Sequence, residues 1–235
     1  MGLQQERDFV RNASTAPLQF RSAPPAHYVL GSRSPRRLAL LRQIVPADAI
    51  EVVPPRRADE ADFAGLSAWP DIECRLEEIV RVKCDDVLDQ LKTRPPDPAR
   101  TVITADTIVV VRGSDDRLCV LGQPPDDPSW PDVVRRWFRE HYAGQTHTVA
   151  TQLCVAQPSR PAVYRVVKSS VTFYDEVDRW LEWYLATGEP RGKAGGYALQ
   201  EAGSVFVSRV EGSLSNIVGL PLRELHEILT REQTP

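Results

Sequence analysis

Apolar positions recur along the chain with two different periods, and the changes between them lay out the elements. Tyr28-Val29-Leu30 is a short apolar run broken by Gly31-Ser32, and it reads as a strand. Ser34 then stands as a helix cap, with Pro35 at the first helical position, where its missing N–H costs nothing. Leu38, Leu41 and Val45 follow at helical spacing. Ile50 to Val53 reads as a second strand, ended by Pro54-Pro55. Residues 71–92 carry the longest amphipathic pattern, with a stripe of Ile72, Leu76, Ile79 and Val87 flanked by Val80 and Leu91. Lys83 stands inside that stripe. Thr101 to Val111 is a run of strand formers interrupted only by Ala105-Asp106-Thr107. Residues 112–117 then read as a hairpin turn, and Leu118 to Leu121 as the returning strand.

The second half continues the mixture. Asp132 to Tyr142 reads as a helix with Val134, Trp137, Phe138 and His141 on its inner side and Gly144 as its stop. Thr146 to Val155 and Tyr164 to Phe173 read as strands joined by a turn at 158–161. Asp175 to Ala186 reads as a helix closed by Gly188, followed by a glycine-rich segment from Gly192 to Gly203. Ser204 to Val210 is predicted as a strand, and Pro221 to Thr230 as a last helix with Leu222, Leu225 and Leu229 inward. Strands and helices mix without strict alternation, which predicts an α/β or mixed α+β fold with a mixed sheet.

Composition narrows the classes. A hydrophobic share of 42% is enough for a packed core, and no apolar run approaches the ~20 residues that span a bilayer. A net charge of −3 speaks against a general nucleic-acid binder, while leaving a locally basic pocket open. Residues 1–26 contain no continuous apolar segment and carry Glu6, Arg7, Asp8 and Arg11, so they read as a flexible polar extension and not as a secretory signal. The cysteines at 74, 84, 119 and 154 form no CxxC pair, which points to reduced thiols of a cytoplasmic protein and away from a zinc site.

Several residues resist explanation as packing. Arg36 and Arg37 lie in the first turn of a helix, where cations oppose the dipole unless an anion binds between them; the bland reading is a solvated surface. Lys83 either meets an anionic partner in a wet cleft or snorkels from the edge of its stripe. Asp106 inside a strand would be costly without partners, so it reads as sitting where the strand meets a cleft, holding a metal or activating water; the bland reading is a structural aspartate. Glu60, among Asp59 and Asp62, belongs either to a solvated acidic loop or to a Mg²⁺ site. The glycines from Gly192 to Gly196 let backbone approach a ligand closely, or mark an ordinary loop. That segment is not a P-loop, because only three residues separate Gly188 from Gly192, where the motif needs four, and Ala194 follows Lys193.

In this order and spacing the segments resemble the Maf family of nucleoside triphosphate pyrophosphatases. The matching pieces begin with Leu30-Gly31-Ser32-Arg33-Ser34-Pro35-Arg36-Arg37, Glu60, Lys83 and Ala105-Asp106-Thr107. Leu121-Gly122-Gln123-Pro124, Gly144 with His147 and Thr151, and Gly188-Glu189-Pro190 follow. Lys193-Ala194-Gly195 with Tyr197 and Gln200 comes next, then Gly212-Ser213 leading to Asn216-Ile217-Val218-Gly219-Leu220-Pro221-Leu222. The likeness runs over roughly residues 28–230.

The resemblance implies a Maf/ITPase-like two-lobed domain over 27–235 with a central cleft, often a homodimer. It implies a hydrolase acting on an acid anhydride: the α–β bond of a nucleoside triphosphate is cleaved to a monophosphate and pyrophosphate with a divalent metal, Mg²⁺ or Mn²⁺. Ser34, Arg36 and Arg37 then match the phosphate-binding motif, and Lys83 the family's helix lysine. Asp106 matches the proposed catalytic base, with Glu60 beside it as a second acidic site residue and metal ligand. Thr107 and Gln200 match positions linked to substrate choice, and Lys193 a further substrate contact. The Tyr197-Ala198-Leu199-Gln200 form resembles the branch acting on dTTP and UTP.

This chain departs from the family at two points. Gln123 replaces a lysine in the Gly-Lys-Pro motif, losing a positive charge near the phosphates, and Glu201 follows Gln200 where the family has glycine. The first departure supports a competing reading, a nucleotide-binding regulator with little turnover.

Overall fold

The computed structural model describes residues 27–56, 62–113, 115–158 and 160–231. The extension expected at 1–26 and the candidate ligand Glu60 lie outside the described residues. The centre is a mixed sheet of seven strands: β1 (His27–Leu30), β2 (Ile50–Val52), β3 (Arg100–Arg112), β4 (Leu118–Leu121), β5 (Thr146–Ala156), β6 (Val163–Phe173) and β7 (Val207–Glu211). Its order is β2-β1-β3-β5-β6-β7, with β4 added to β3. β1 pairs in parallel with β2 and β3, and every other pairing is antiparallel. The expected mixed α/β class is therefore the observed one.

One feature of this topology creates the cleft. β5 covers one edge of β3 from Val102 to Val110. On the other edge β1 ends at Leu30 opposite Ile103, and the antiparallel β4 ends at Leu121 opposite Val109. Between those points the edge of β3 pairs with no strand among the described residues, and Asp106 lies at its middle. Ala105-Asp106-Thr107 thus does not interrupt the strand; β3 runs straight through it.

Helices flank the sheet as the apolar periods predict. In α2 (Trp69–Leu91), Ile72, Leu76, Ile79, Val80, Val87 and Leu91 are buried. Ile72 and Leu76 pack against Ile108 and Val110, while Val87 and Leu91 pack with Val29 and Val102. The helix α1 (Pro35–Leu41) starts at Ser34, whose hydroxyl accepts the Arg37 N–H. It ends four residues before Val45, which is reached through a turn and is still buried.

Three expectations are corrected. The helix α3 (Trp130–Trp137) passes into a wide turn at Phe138–Tyr142, and the extra backbone residue there turns Tyr142, not His141, into the core. The helix α4 begins later than expected, at Asp178–Ala186. Residues Ala202–Phe206 are a 3₁₀ turn ahead of β7 and not its start, because the Glu189 carboxylate takes the N–H groups of Ala202 and Gly203. A short helix α5 (Leu214–Val218), capped by Ser213, and the helix α6 (Leu222–Arg231) complete the chain. Leu225 and Leu229 of α6 are buried with Ile228, whereas Leu222 is half-buried.

The antiparallel half holds an aromatic core of Phe138, Tyr142, Phe173, Tyr184, Tyr197 and Phe206. Their rings meet mostly edge to face, as the quadrupoles prefer. His147 lies among them, with Nε2 2.7 Å from the Tyr197 hydroxyl. Burial pushes its imidazole down from 6.5 to about 3. The neutral ring is therefore the folded form, and the unfolded chain binds the proton first. Stability from this group is complete above pH 6.5 and falls as pH drops from 6.5 toward 3, by up to about 1.4 kcal/mol per unit. His147→Gln removes that slope. The stability gap between the two proteins, read from urea unfolding, should shrink between pH 7.5 and pH 4.5; a constant gap would show that His147 does not titrate on unfolding.

Candidate active site

The uncovered stretch of β3 opens into a cleft of about 540 Å³. Side chains from both faces of the strand reach it. Asp106 points to the side of α2, where Lys83 places Nζ 2.9 Å from its Oδ1. Both are mostly buried, with side-chain exposures of 13% for Lys83 and 16% for Asp106. Of the two readings open for Lys83, the anionic partner is the one realised. The position inside an apolar stripe is what aims it at the sheet.

Thr107 faces the opposite side, toward α1. Arg37 reaches over from α1 and ties three segments together. Its Nε donates to the Gly219 carbonyl (2.9 Å), Nη1 to the Ser32 hydroxyl (3.3 Å) and Nη2 to Thr107 Oγ1 (3.1 Å). Nη2 also lies 3.7 Å from Asp106 Oδ1. The chain of hydroxyls then runs inward. Thr151 donates to the Asn216 carbonyl (3.0 Å), so the 2.9 Å contact between Thr107 and Thr151 uses the Thr107 proton. Asn216 is buried and donates to the Val149 carbonyl and the Ser169 hydroxyl. Arg37 is thus bound into the fold, while Arg36 keeps a more exposed guanidinium on the cleft wall.

The chain turns out of β1 at Gly31, directly over β3. A Cβ there would lie 2.5 Å from Thr104 Cγ2 and 2.9 Å from Val87 Cγ2, so only glycine brings Ser32 and Ser34 this close to Asp106.

The far wall is the segment 192–200. The Gly195 N–H donates to the Gly122 carbonyl (2.9 Å), which sets this segment beside Gln123. Tyr142 donates to the Gly195 carbonyl and Tyr184 to the Gly196 carbonyl. Lys193 is thereby held in the cleft, its Nζ donating to the Glu189 carbonyl at 2.6 Å. Arg191, by contrast, pairs with Asp126 at 2.5 Å, and the cleft lining includes Lys193 but not Arg191. Gln123 and Gln200 both line the cleft and are exposed. Every described candidate, Ser34, Arg36, Arg37, Lys83, Asp106, Thr107, Gln123, Lys193 and Gln200, comes to this one cavity.

The model of the family described as Maf-like protein matches residues 27–232. The chain belongs to the Maf family. A relative named dTTP/UTP pyrophosphatase from Anaeromyxobacter sp. (strain Fw109-5) is 37% identical over 211 residues, covering 88% of this chain and 90% of the relative. Another of that name, from Caldicellulosiruptor saccharolyticus, is 32% identical over 210 residues, covering 86% and 93%. The resemblance of the separate motifs is thus a relationship along most of the chain.

In this Maf protein one residue that the sequence marked only as a departure after Gln200 reaches the site's cations. Glu201 places its carboxylate oxygens 3.0 Å from Lys193 Nζ and 3.9 Å from Arg36 Nη1. The signal available was its place next to Gln200, but a lone glutamate in a polar loop carries no direction.

The loop geometry yields a test. Gly195 has φ +69°, and a Cβ there would collide with the Tyr142 hydroxyl and sit 2.8 Å from Val109 Cγ2. Left-handed strain and overpacking together should make Gly195→Ala cost roughly 2–5 kcal/mol in urea unfolding. A loss below ~1 kcal/mol would mean that the segment is not held this rigidly.

Proposed function

We propose that the chain hydrolyses the α–β phosphoanhydride of a nucleoside triphosphate, releasing the monophosphate and pyrophosphate. The observation that carries this reading is the convergence of Arg36, Arg37, Lys83 and Lys193 with Asp106 on one cleft of about 540 Å³. The cations come from separate parts of the chain, so their convergence is a product of folding and not of local sequence. A triphosphate tail is polyanionic, and preorganised cations stabilise it most as charge moves toward the leaving group. The names of the relatives support the same chemistry.

Asp106 takes the proton of the attacking water or holds a metal ion. In the first role the water oxygen bonds to the α-phosphorus, the bond to the bridging oxygen breaks, and pyrophosphate leaves. Lys83 orients the carboxylate through Oδ1. Arg36 and Lys193 receive the tail, and Arg37 holds Ser32, Thr107 and the Gly219 turn in register around it.

A divalent cation, Mg²⁺ or Mn²⁺, fits this donor set. Among the described residues Asp106 offers hard carboxylate oxygens, which together with the substrate's own phosphates are what Mg²⁺ accepts; Glu60, the second expected ligand, lies outside them. Such an ion would supply charge neutralisation and Lewis acidity.

The nucleobase would lie against Gln200, whose amide offers both a donor and an acceptor to a pyrimidine edge. The Thr107 hydroxyl is engaged by Arg37 and Thr151, which leaves Gln200 the larger share of base selection. dTTP and UTP are therefore the substrates to test first. Among the described residues no helix is long and apolar enough to cross a membrane. A cytoplasmic location and a homodimer belong to the same proposal.

The test is a screen of nucleoside triphosphates with Mg²⁺ or Mn²⁺, detecting pyrophosphate. Pyrophosphate release from dTTP or UTP is expected; release of single phosphate would overturn the bond assignment, and tight binding without turnover would favour a regulator. Asp106→Asn keeps the size and one hydrogen bond but loses the charge. Turnover should fall at least ~100-fold while the far-UV circular dichroism is unchanged. Activity near the parent level would remove Asp106 from the mechanism.

A further inference from the structure

We propose that Glu201 is an internal competitor for the phosphate tail, occupying the anion position between Lys193 and Arg36 until substrate displaces it and returning there as pyrophosphate leaves. The idea rests on the cleft being a phosphate site, and goes further by naming what holds that site before binding.

The geometry points to displacement. Glu201 Oε2 lies 3.0 Å from Lys193 Nζ, and Oε1 lies 3.9 Å from Arg36 Nη1. A carboxylate between two cations takes the place of a phosphate oxygen, because both are charge-assisted acceptors of the same donors. Among the described residues the Glu201 carboxylate meets these two cations, and its side chain stays 42% exposed. Among the described residues no backbone N–H donates to it.

Its neighbour Glu189 is the contrast. The Glu189 carboxylate accepts the N–H groups of Ala202 and Gly203 and shares the one Tyr184 hydroxyl proton with the Gly196 carbonyl. That carboxylate fixes the turn, so the loop does not need Glu201 for its shape.

Lys193 behaves differently from its partner. Its side chain is only 10% exposed, and Nζ also donates to the Glu189 carbonyl at 2.6 Å. When Glu201 swings out, Lys193 stays aimed into the cleft with its charge uncompensated. A buried cation in that position calls for an anion, and an incoming phosphate carries more charge than the carboxylate it replaces.

An internal competitor weakens every ligand that needs the same cations by a common factor. Glu201 therefore raises the Kd of pyrophosphate and the KM of the triphosphate together. It limits product inhibition at the expense of substrate affinity, and it acts on the tail and not on the base.

The experiment is calorimetric titration of pyrophosphate into the parent protein and into Glu201→Gln and Glu201→Ala, at low and high salt, with thermal unfolding alongside. The neutral variants should bind pyrophosphate about three- to tenfold more tightly at low salt, with the gain shrinking as salt rises. KM for the best triphosphate should fall by a similar factor. Unchanged or weaker pyrophosphate binding in both variants would overturn the proposal. So would failure of both to fold, which would make Glu201 a structural partner of Lys193. If pyrophosphate binds none of the three folded proteins, the phosphate-cleft reading itself fails, and Glu201 with it.

Discussion

The site depends on the uncovered edge of β3. A strand edge inside a sheet is normally closed by its neighbour, but here β1 stops opposite Ile103 and β4 ends opposite Val109. The gap gives an ionised carboxylate a place in the middle of a core strand. Asp106 keeps contact with the cleft while Ala105 and Ile108 on either side of it are buried. An aspartate at a strand position covered on both edges would lose most of its hydration with little compensation. In the gap, side chains from opposite faces of β3 can bend toward one opening, which is how Lys83 from α2 and Arg37 from α1 approach the same carboxylate.

Around this opening the two walls are built by different means. The α1 wall is held by one arginine, whose guanidinium reaches a loop carbonyl, a serine and a threonine in separate segments. The opposite wall is held by aromatic hydroxyls. Tyr142 and Tyr184 rise from the aromatic core to grip the carbonyls of Gly195 and Gly196, and Tyr197 is locked by His147. A glycine-rich segment, which by composition would be mobile, is thereby fixed to a rigid core. Preorganisation of this kind lets Lys193 act on a ligand without reorganising when it arrives.

Charge in the ligand-free cleft is partly balanced from within. Lys83 and Arg37 share Asp106, while Lys193 and Arg36 share Glu201. The two carboxylates differ in character. Asp106 is half-buried in the sheet with Lys83 and Arg37 beside it, and Glu201 projects from a more exposed loop. Gln123, where the resemblance to the family implies a lysine, lies on the same wall as Lys193, and Glu201 stands 3.0 Å from the Lys193 ammonium. In the proposed reaction base selection and phosphate grip separate along the segment, with Gln200 assigned to one and Lys193 to the other.

Much of this was legible in the order of residues. The mixed fold class, the long helix with Lys83 in its apolar stripe, the capped turn at Ser34-Pro35 and the strand through Asp106 all follow from local period and turn chemistry, which short stretches of chain control. The inward turn of Tyr142, the 3₁₀ turn at 202–206 and the late start of α4 did not, because each is set by a contact from elsewhere: an extra residue in the helix end, the carboxylate of Glu189, the packing of the aromatic core. The sequence by itself determined which residues carry charge and which segments are rigid or turning. The tertiary structure alone decided that β1 and β4 leave a gap in the edge of β3, that Arg37 is bound into the frame while Arg36 remains at the cleft, and that Glu201 stands between two cations. Those facts depend on distances between segments far apart in the chain, and hydrophobic patterning is blind to where an exposed polar side chain finds its partner.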